Sequence, residues 1–206
     1  MRSTRGDIVI ENLTPDAAAA HVGELARLRM TVFRAYPYLY DGSAAYEERY
    51  LATYLEAPRA VVVAARHGDA FVGAATALPM AEATAEERAP FEAAGWAIDR
   101  ICYFGESVLL DSYRGRGIGV AFFEHREAHA RALGLDTAVF CAVDRGEHHP
   151  AKPAGYAPLD GFWRNRGYRP LPFETTFRWK DIGEDDESAK RMLFWAKDLS
   201  GDGAAP

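Results

Sequence analysis

Residues 105–119 read Gly-Glu-Ser-Val-Leu-Leu-Asp-Ser-Tyr-Arg-Gly-Arg-Gly-Ile-Gly, an apolar strand that empties into a glycine-rich turn and opens a helix. That order limits both the fold and what it can hold. The first N–H groups of a helix have no acceptor within it, and the aligned peptide dipoles place partial positive charge there. Glycines let an anion come close, because they lack Cβ and accept positive φ. Arg114 and Arg116 flank the turn, so a pyrophosphate suits it better than a bare change of chain direction. The spacing Gly115, Gly117, Gly119 is not the Gly-x-Gly-x-x-Gly of dinucleotide folds, and no acidic residue ends a second strand about 20 residues later. The sequence has no Gly-Lys-Ser/Thr, which excludes a P-loop.

The rest of the chain supplies a frame for this unit. Ile8, Val9 and Ile10 predict a first strand, and Thr14-Pro15-Asp16 reads as an N-cap, a proline at the first helical position and an acidic first turn. Val22, Leu25, Leu28, Val32 and Phe33 recur at helical spacing up to Pro37, with Gly23 as a break. A second helix is expected over 44–55, and strands over 60–65 and 70–78 flank the hairpin turn at 66–69. The stretch 81–94 reads as an inserted helix before a fourth strand over 100–110. Ile118, Ala121, Phe122, His125, Ala128 and Ala132 then form one stripe of a helix ended by Gly134. A fifth strand over 137–143 is parallel to the fourth, because a helix joins them. A short helix over 159–166 and strands over 175–180 and 192–197 complete the chain, although 189–199 is also compatible with a helix.

With 206 residues and 49% hydrophobic content the chain fits one domain with a proper core. Net charge −6 argues against general nucleic-acid binding. Arg164, Arg166 and Arg169 form a local basic cluster, either a solvated face or a phosphate contact. Cys102 and Cys141 sit in apolar runs without metal-ligand spacing and read as small core residues. His148-His149 brings no further ligand pattern, so no metal is expected. Residues 1–7 are charged, and no apolar run reaches the ~18 residues of a membrane span, so no membrane partner and a cytoplasmic location are expected.

The hexapeptide Arg114-Gly115-Arg116-Gly117-Ile118-Gly119 resembles the Arg/Gln-x-x-Gly-x-Gly/Ala signature of the GNAT N-acetyltransferase superfamily. Phe162-Trp163-Arg164-Asn165-Arg166-Gly167-Tyr168 is similar to that family's Phe-Tyr-x-x-x-Gly-Phe/Tyr ending of its fourth helix, and the order of elements is similar over nearly the whole chain. The resemblance implies an α/β fold of the α+β type: a central mixed, mostly antiparallel sheet whose parallel fourth and fifth strands flank the CoA-binding helix. It implies a single domain over 1–206 with short flexible ends at about 1–6 and 200–206. Acetyl-CoA is the implied co-substrate, its pyrophosphate held by Arg114, Gly115, Arg116, Gly117, Ile118 and Gly119. Backbone groups of Val108, Leu109 and Leu110 would hold pantetheine and the acetyl carbonyl.

The implied reaction moves an acetyl group to a primary amine, here of a small molecule, by direct attack on the thioester. The amine must lose a proton, the oxyanion must be stabilised, and the departing thiolate can take a proton. Glu106 is the only acid within its apolar strand; partly desolvated there, it is the candidate base, against the alternative of a structural partner for an arginine. Many relatives carry a tyrosine as general acid where this chain has Trp163, whose indole is no practical proton source. Tyr156 is the candidate substitute; otherwise it only packs the loop and the thiolate leaves unassisted. Phe33, Tyr36, Tyr38 and Tyr40, with Arg34 and Asp41, border the implied acceptor site, or serve to pack the two helices together. The long loop 144–158 is placed to cover that site. A non-catalytic acyl-CoA sensor, an O-acceptor and a longer acyl donor remain alternatives, and a homodimer is left open.

Overall fold

The computed structural model describes residues 1–202; residues 203–206, the Gly-Ala tail expected to be flexible, lie outside the described residues. One eight-stranded sheet organises the chain in the order β1-β2-β3-β4-β5-β6-β8-β7. Its strands are β1 (Arg2–Arg5), β2 (Ile8–Leu13), β3 (Val61–His67), β4 (Ala70–Pro79), β5 (Ile101–Leu109), β6 (Thr137–Val143), β7 (Arg169–Trp179) and β8 (Ser188–Asp198). All neighbours pair antiparallel except β5 and β6, the fourth and fifth strands of the sequence reading, which run parallel as expected.

Helices cover both faces, so the central strands are apolar on both sides: β3 is buried from Val61 through Ala65. On one face α5 (Ile118–Ala132) packs Ile118, Ala121, Phe122 and Ala130 against Ile8, Ile10, Val63 and Phe104. On the other, α1 (Pro15–Ala20), α2 (Val22–Phe33), α3 (Ala44–Glu56) and α4 (Ala85–Ala93) cover Val62, Ala74, Leu78 and Tyr103. Leu25, Leu28 and Phe33 of α2 are each almost fully buried, worth roughly 1.5–3 kcal/mol apiece. The α1–α2 break falls at His21, two residues before the expected Gly23, where His21 ends one helix and precedes the next.

Several expectations are corrected toward the ends of the chain. Residues 2–5, expected to be flexible, form β1, whose Ser3 Oγ meets His125 Nε2 at 2.8 Å while Arg5 Nη2 reaches Glu124 Oε2 at 2.7 Å. The strand is polar and shows no apolar pattern, because its antiparallel ladder to β2 and hydrogen bonds to α5, rather than core burial, hold it. The same contact satisfies His125 on the apolar stripe, its Nδ1 meeting Asn12 Oδ1 at 2.7 Å. β7 begins at Arg169, not 175: Pro170 and Pro172 masked it, and its place at the sheet edge tolerates prolines. Residues 188–198 are strand throughout, and the short helix α6 (Asp160–Arg164) ends two residues early. Residues 200–202, assigned to a flexible end, form a turn of 3-10 helix.

Candidate active site

Parallel pairing between β5 and β6 lasts only from Ile101↔Thr137 to Tyr103↔Val139, although both strands continue to Leu109 and Val143. Beyond Tyr103 they splay. A bulge in β5 starts the divergence: Ala75 faces Ser107 and Ala77 faces Phe104, so β5 carries one residue too many opposite β4. Gly105 occupies the bulge because nothing larger fits; a Cβ there would sit 2.0 Å from Tyr54 Oη and 2.6 Å from Thr76 Oγ1.

The splay exposes an unpaired backbone edge. Leu110 N–H donates to Val72 O at 2.9 Å and Val108 pairs opposite Ala74, so Val108 and Leu110 face β4. By alternation Ser107 and Leu109 turn their N–H and C=O groups to the gap. Of the trio expected to line it, Leu109 does; Val108, fully buried, and Leu110 do not, and Ser107 was missed.

The glycine turn stands at the mouth of the gap. Gly115 and Gly117 have φ of +74° and +77°, conformations that call for glycine. Helices α1, α3 and α4 begin on side-chain caps from Thr14, Ser43 and Thr84. Helix α5 begins on Gly117 with no side-chain cap, and its first internal bond runs from Ala121 N–H to Gly117 O. The amides of Ile118, Gly119 and Val120 are therefore left for a ligand. Arg114 lines the same space, whereas Arg116 turns away to Ser112 O at 3.3 Å and onto the Tyr113 ring. Phe162 packs beside Gly119, and Trp163 packs between Phe140 and Trp195, both at 5.1 Å, which explains an indole at that position. Arg164 and Arg166 lie over Trp195 and Phe162, and Arg169 bonds backbone carbonyls.

One cavity of about 1090 Å³ connects turn, gap and helical layer. That is room for more than one small ligand. Its inner end holds Glu106, buried on the bulge, whose Oε2 accepts from Tyr50 Oη at 3.0 Å and Thr76 Oγ1 at 2.9 Å. Arg29 Nη1 lies 3.0 Å from the same oxygen without hydrogen-bond alignment, a Coulombic contact, while its Nε bonds Glu47 Oε2. The guanidinium stacks 4.0 Å from the Tyr50 ring. Burial opposes the charge on Arg29, yet Glu106, Tyr50 and Glu47 together raise its pKa, and it stays protonated. Glu106 is thus both an arginine's partner and a carboxylate on the cavity wall. On the opposite face Arg126, buried between Phe104 and Phe123, directs Nη1 to Glu106 O at 3.3 Å and Thr76 O at 3.5 Å, the carbonyls at the bulge. Burial brings its pKa down to about 10.

Phe33, Tyr36, Tyr38 and Tyr40 all line the cavity. The loop after β6 closes over them. Arg145 pairs bidentately with Asp181 at 2.6 and 2.8 Å and binds Pro37 O at 2.7 Å and Tyr38 O at 2.5 Å. Tyr156 meets Tyr36 edge-on at 4.6 Å and lines the cavity, its phenol pKa raised by burial. Cys102 and Cys141 are free and buried, the latter 3.3 Å from Tyr103 Oη. Among the described residues no cluster of His, Cys, Asp and Glu could hold a metal ion, and no helix is long and apolar enough to cross a membrane.

Besides Ser107, sequence reasoning missed Arg29, Glu47 and Glu87. Arg29 lies four residues from Leu25 and from Phe33, and Glu47 four and seven from Leu51 and Tyr54, so charged residues on apolar faces were the available sign.

A family model described as Acetyltransferase (GNAT) family matches residues 25–154, well over half of the chain. No curated protein gives a significant match. Among solved structures, an N-acetyltransferase from Staphylococcus aureus Mu50 superposes with a TM-score of 0.61 at 13% identity, covering 94% of this chain and 99% of that one. A putative acetyltransferase from Salmonella typhimurium, solved with its cofactor acetyl-CoA, gives 0.61 at 10% identity and covers 97% of each chain. A ribosomal-protein-alanine N-acetyltransferase from Brucella melitensis gives 0.60 at 16%, covering 92% of this chain and 99% of that one. At these identities the likeness concerns the fold.

Proposed function

The chain belongs to the acetyltransferase (GNAT) family, and from that premise we propose that it transfers the acetyl group of acetyl-CoA to a primary amine of a small molecule. The observation that carries this reading is the continuity of one cavity from uncapped helix start, along the open β5 edge, to a buried carboxylate. Acetyl-CoA fits this cradle in kind. The amides of Ile118, Gly119 and Val120, with Arg114, suit its pyrophosphate, and the unpaired edge at Ser107 and Leu109 suits its amide-bearing arm, much as an added strand would be bound. Bound there, it supplies an activated acyl thioester.

The chain's own residues do the rest. Tyr36, Tyr38, Tyr40 and the loop over them exclude water from the acceptor's side. Glu106, its Oε2 fixed by Tyr50, Thr76 and Arg29, takes up on its carboxylate the proton that the acceptor's ammonium must lose, directly or through a water. Tyr156 keeps its proton across the neutral range, since burial raises its pKa, and offers it to the departing sulfur. The test is thiol release from acetyl-CoA in the presence of a panel of amines, with calorimetry of CoA binding alongside. Turnover with at least one amine supports the reading; tight binding without turnover identifies a sensor instead.

A further inference from the structure

The inner end of the cavity holds more negative charge than proton removal needs. Glu47 from α3, Glu87 from α4 and Glu106 from β5 are each less than a tenth exposed, and all three line the cavity. Arg29 is shared between Glu47 and Glu106. Glu87 takes its hydrogen bonds from Thr84 N–H at 2.8 Å and Thr84 Oγ1 at 3.0 Å, which cap its helix without cancelling its charge. Burial raises its pKa. Arg126 also reaches the cavity wall, but it gives its donors to backbone carbonyls.

A second observation is independent of the charge count. Glu47 is fully buried, and no donor of the protein meets its Oε1 in hydrogen-bond geometry, although the Tyr40 phenol stands close enough to interact with the carboxylate. Tyr40 stands beside it as a neutral phenol, its pKa raised by burial and then by Glu47. A buried carboxylate oxygen without a donor is destabilising, and an incoming N–H group relieves it. The neighbouring aromatic walls accept methylene groups and the faces of cations. An acceptor bearing a carboxylate meets three carboxylates at this end, and the cations on the cavity wall are engaged, Arg178 by Glu187 O at 2.8 Å. Arg29 already serves two glutamates, and Arg145 is held by Asp181 and two carbonyls.

We propose that the acceptor is a diamine: one amine is acetylated beside Glu106, and the second ammonium, across an apolar spacer, is bound by Glu47 and Glu87. The inference rests on the acetyl-transfer reading above. In the transfer an N–C bond forms and the C–S bond breaks. Of the attacking ammonium's three protons one stays on the amide, one ends on the thiol and one leaves to solvent through Glu106.

Three acceptors of equal length test it on the native protein: 1,4-diaminobutane, butylamine and 4-aminobutanoate, whose far ends are cationic, apolar and anionic. With saturating acetyl-CoA, kcat/KM for the diamine should exceed that for butylamine roughly ten- to a hundred-fold, with 4-aminobutanoate slowest. Glu87→Gln keeps a capping box, since glutamine serves at that helix position, and should shrink the diamine's advantage through KM rather than kcat. Equal rates for diamine and butylamine, or preference for the amino acid, would overturn the diamine assignment while leaving acetyl transfer intact. No thiol release from any of the three, with acetyl-CoA bound, would overturn both.

Discussion

Replacing Glu106 by glutamine removes one charge and almost no volume, which separates a base from a structural partner. In the native site Oε2 lies 3.0 Å from Tyr50 Oη, 2.9 Å from Thr76 Oγ1 and 3.0 Å from Arg29 Nη1. An amide oxygen in the same place still accepts from both hydroxyls, and Arg29 keeps Glu47. Stranding one member of a buried ion pair costs about 3–5 kcal/mol, but nothing is stranded here, so a stability loss of about 1–2 kcal/mol is expected. The kinetic effect should be of another size. Loss of a positioned base lowers turnover roughly 10²- to 10⁴-fold, about 2.7–5.5 kcal/mol on the barrier. Urea unfolding, calorimetric titration with acetyl-CoA and kcat over about pH 6 to 9 measure the three quantities. The expected outcome for Glu106→Gln is a folded protein with nearly unchanged acetyl-CoA affinity, a large fall in kcat and an altered pH profile. A kcat close to the parent's with the parent's pH profile would refute the reasoning and leave Glu106 as Arg29's partner alone.

Tyr156→Phe should lower kcat about tenfold between pH 6 and 9 without changing acetyl-CoA affinity; unchanged turnover would mean that the thiolate leaves unassisted. Gly117→Val should lower both affinity and stability, since a β-branched residue at φ +77° costs roughly 1–3 kcal/mol. Gly119→Ala isolates the ligand effect: its Cβ would stand 3.3 Å from Phe162 Cζ in ordinary helical geometry, and calorimetry should record at least about tenfold weaker acetyl-CoA binding with little change in Tm. Burial opposes ionisation of Asp181, but Arg145 and Lys190 outweigh it and hold the carboxyl below its usual range. Its stabilisation is therefore present above the unfolded pKa of about 3.9 and lost as pH falls through the lower folded value. Urea unfolding of Asp181→Asn should show lower stability at pH 7 and a shallower acid slope below about pH 4 than the parent.

What the sequence made legible was whatever local chemistry decides. Gly115 and Gly117 announced positive φ, Pro15 and Thr14 a helix start, and the apolar run 137–143 a buried strand. These sufficed for the parallel pair and its glycine turn. What stayed hidden depends on partners far along the chain. β1 pairs with β2 and is anchored on α5 by His125 and Glu124, more than a hundred residues away. The choice of Ser107 over Val108 follows from a bulge that is set against β4, and nothing in the local pattern announces its register. Glu106 was read as a lone acid in an apolar strand; its arginine comes from α2, and the other two acids near it come from α3 and α4. Trp163 read as a missing acid, and the aromatic packing of Phe140 and Trp195 accounts for it.

The central claim is that one ligand lies along the turn and the open edge of β5, and backbone amide chemical shifts during titration with CoA test it most directly. The account expects the largest changes at Ser107, Leu109, Ile118, Gly119 and Val120, with Val108, bonded into the sheet beside Ala74, moving less. Changes confined to other parts of the chain, with these five amides unmoved at saturating CoA, would contradict it.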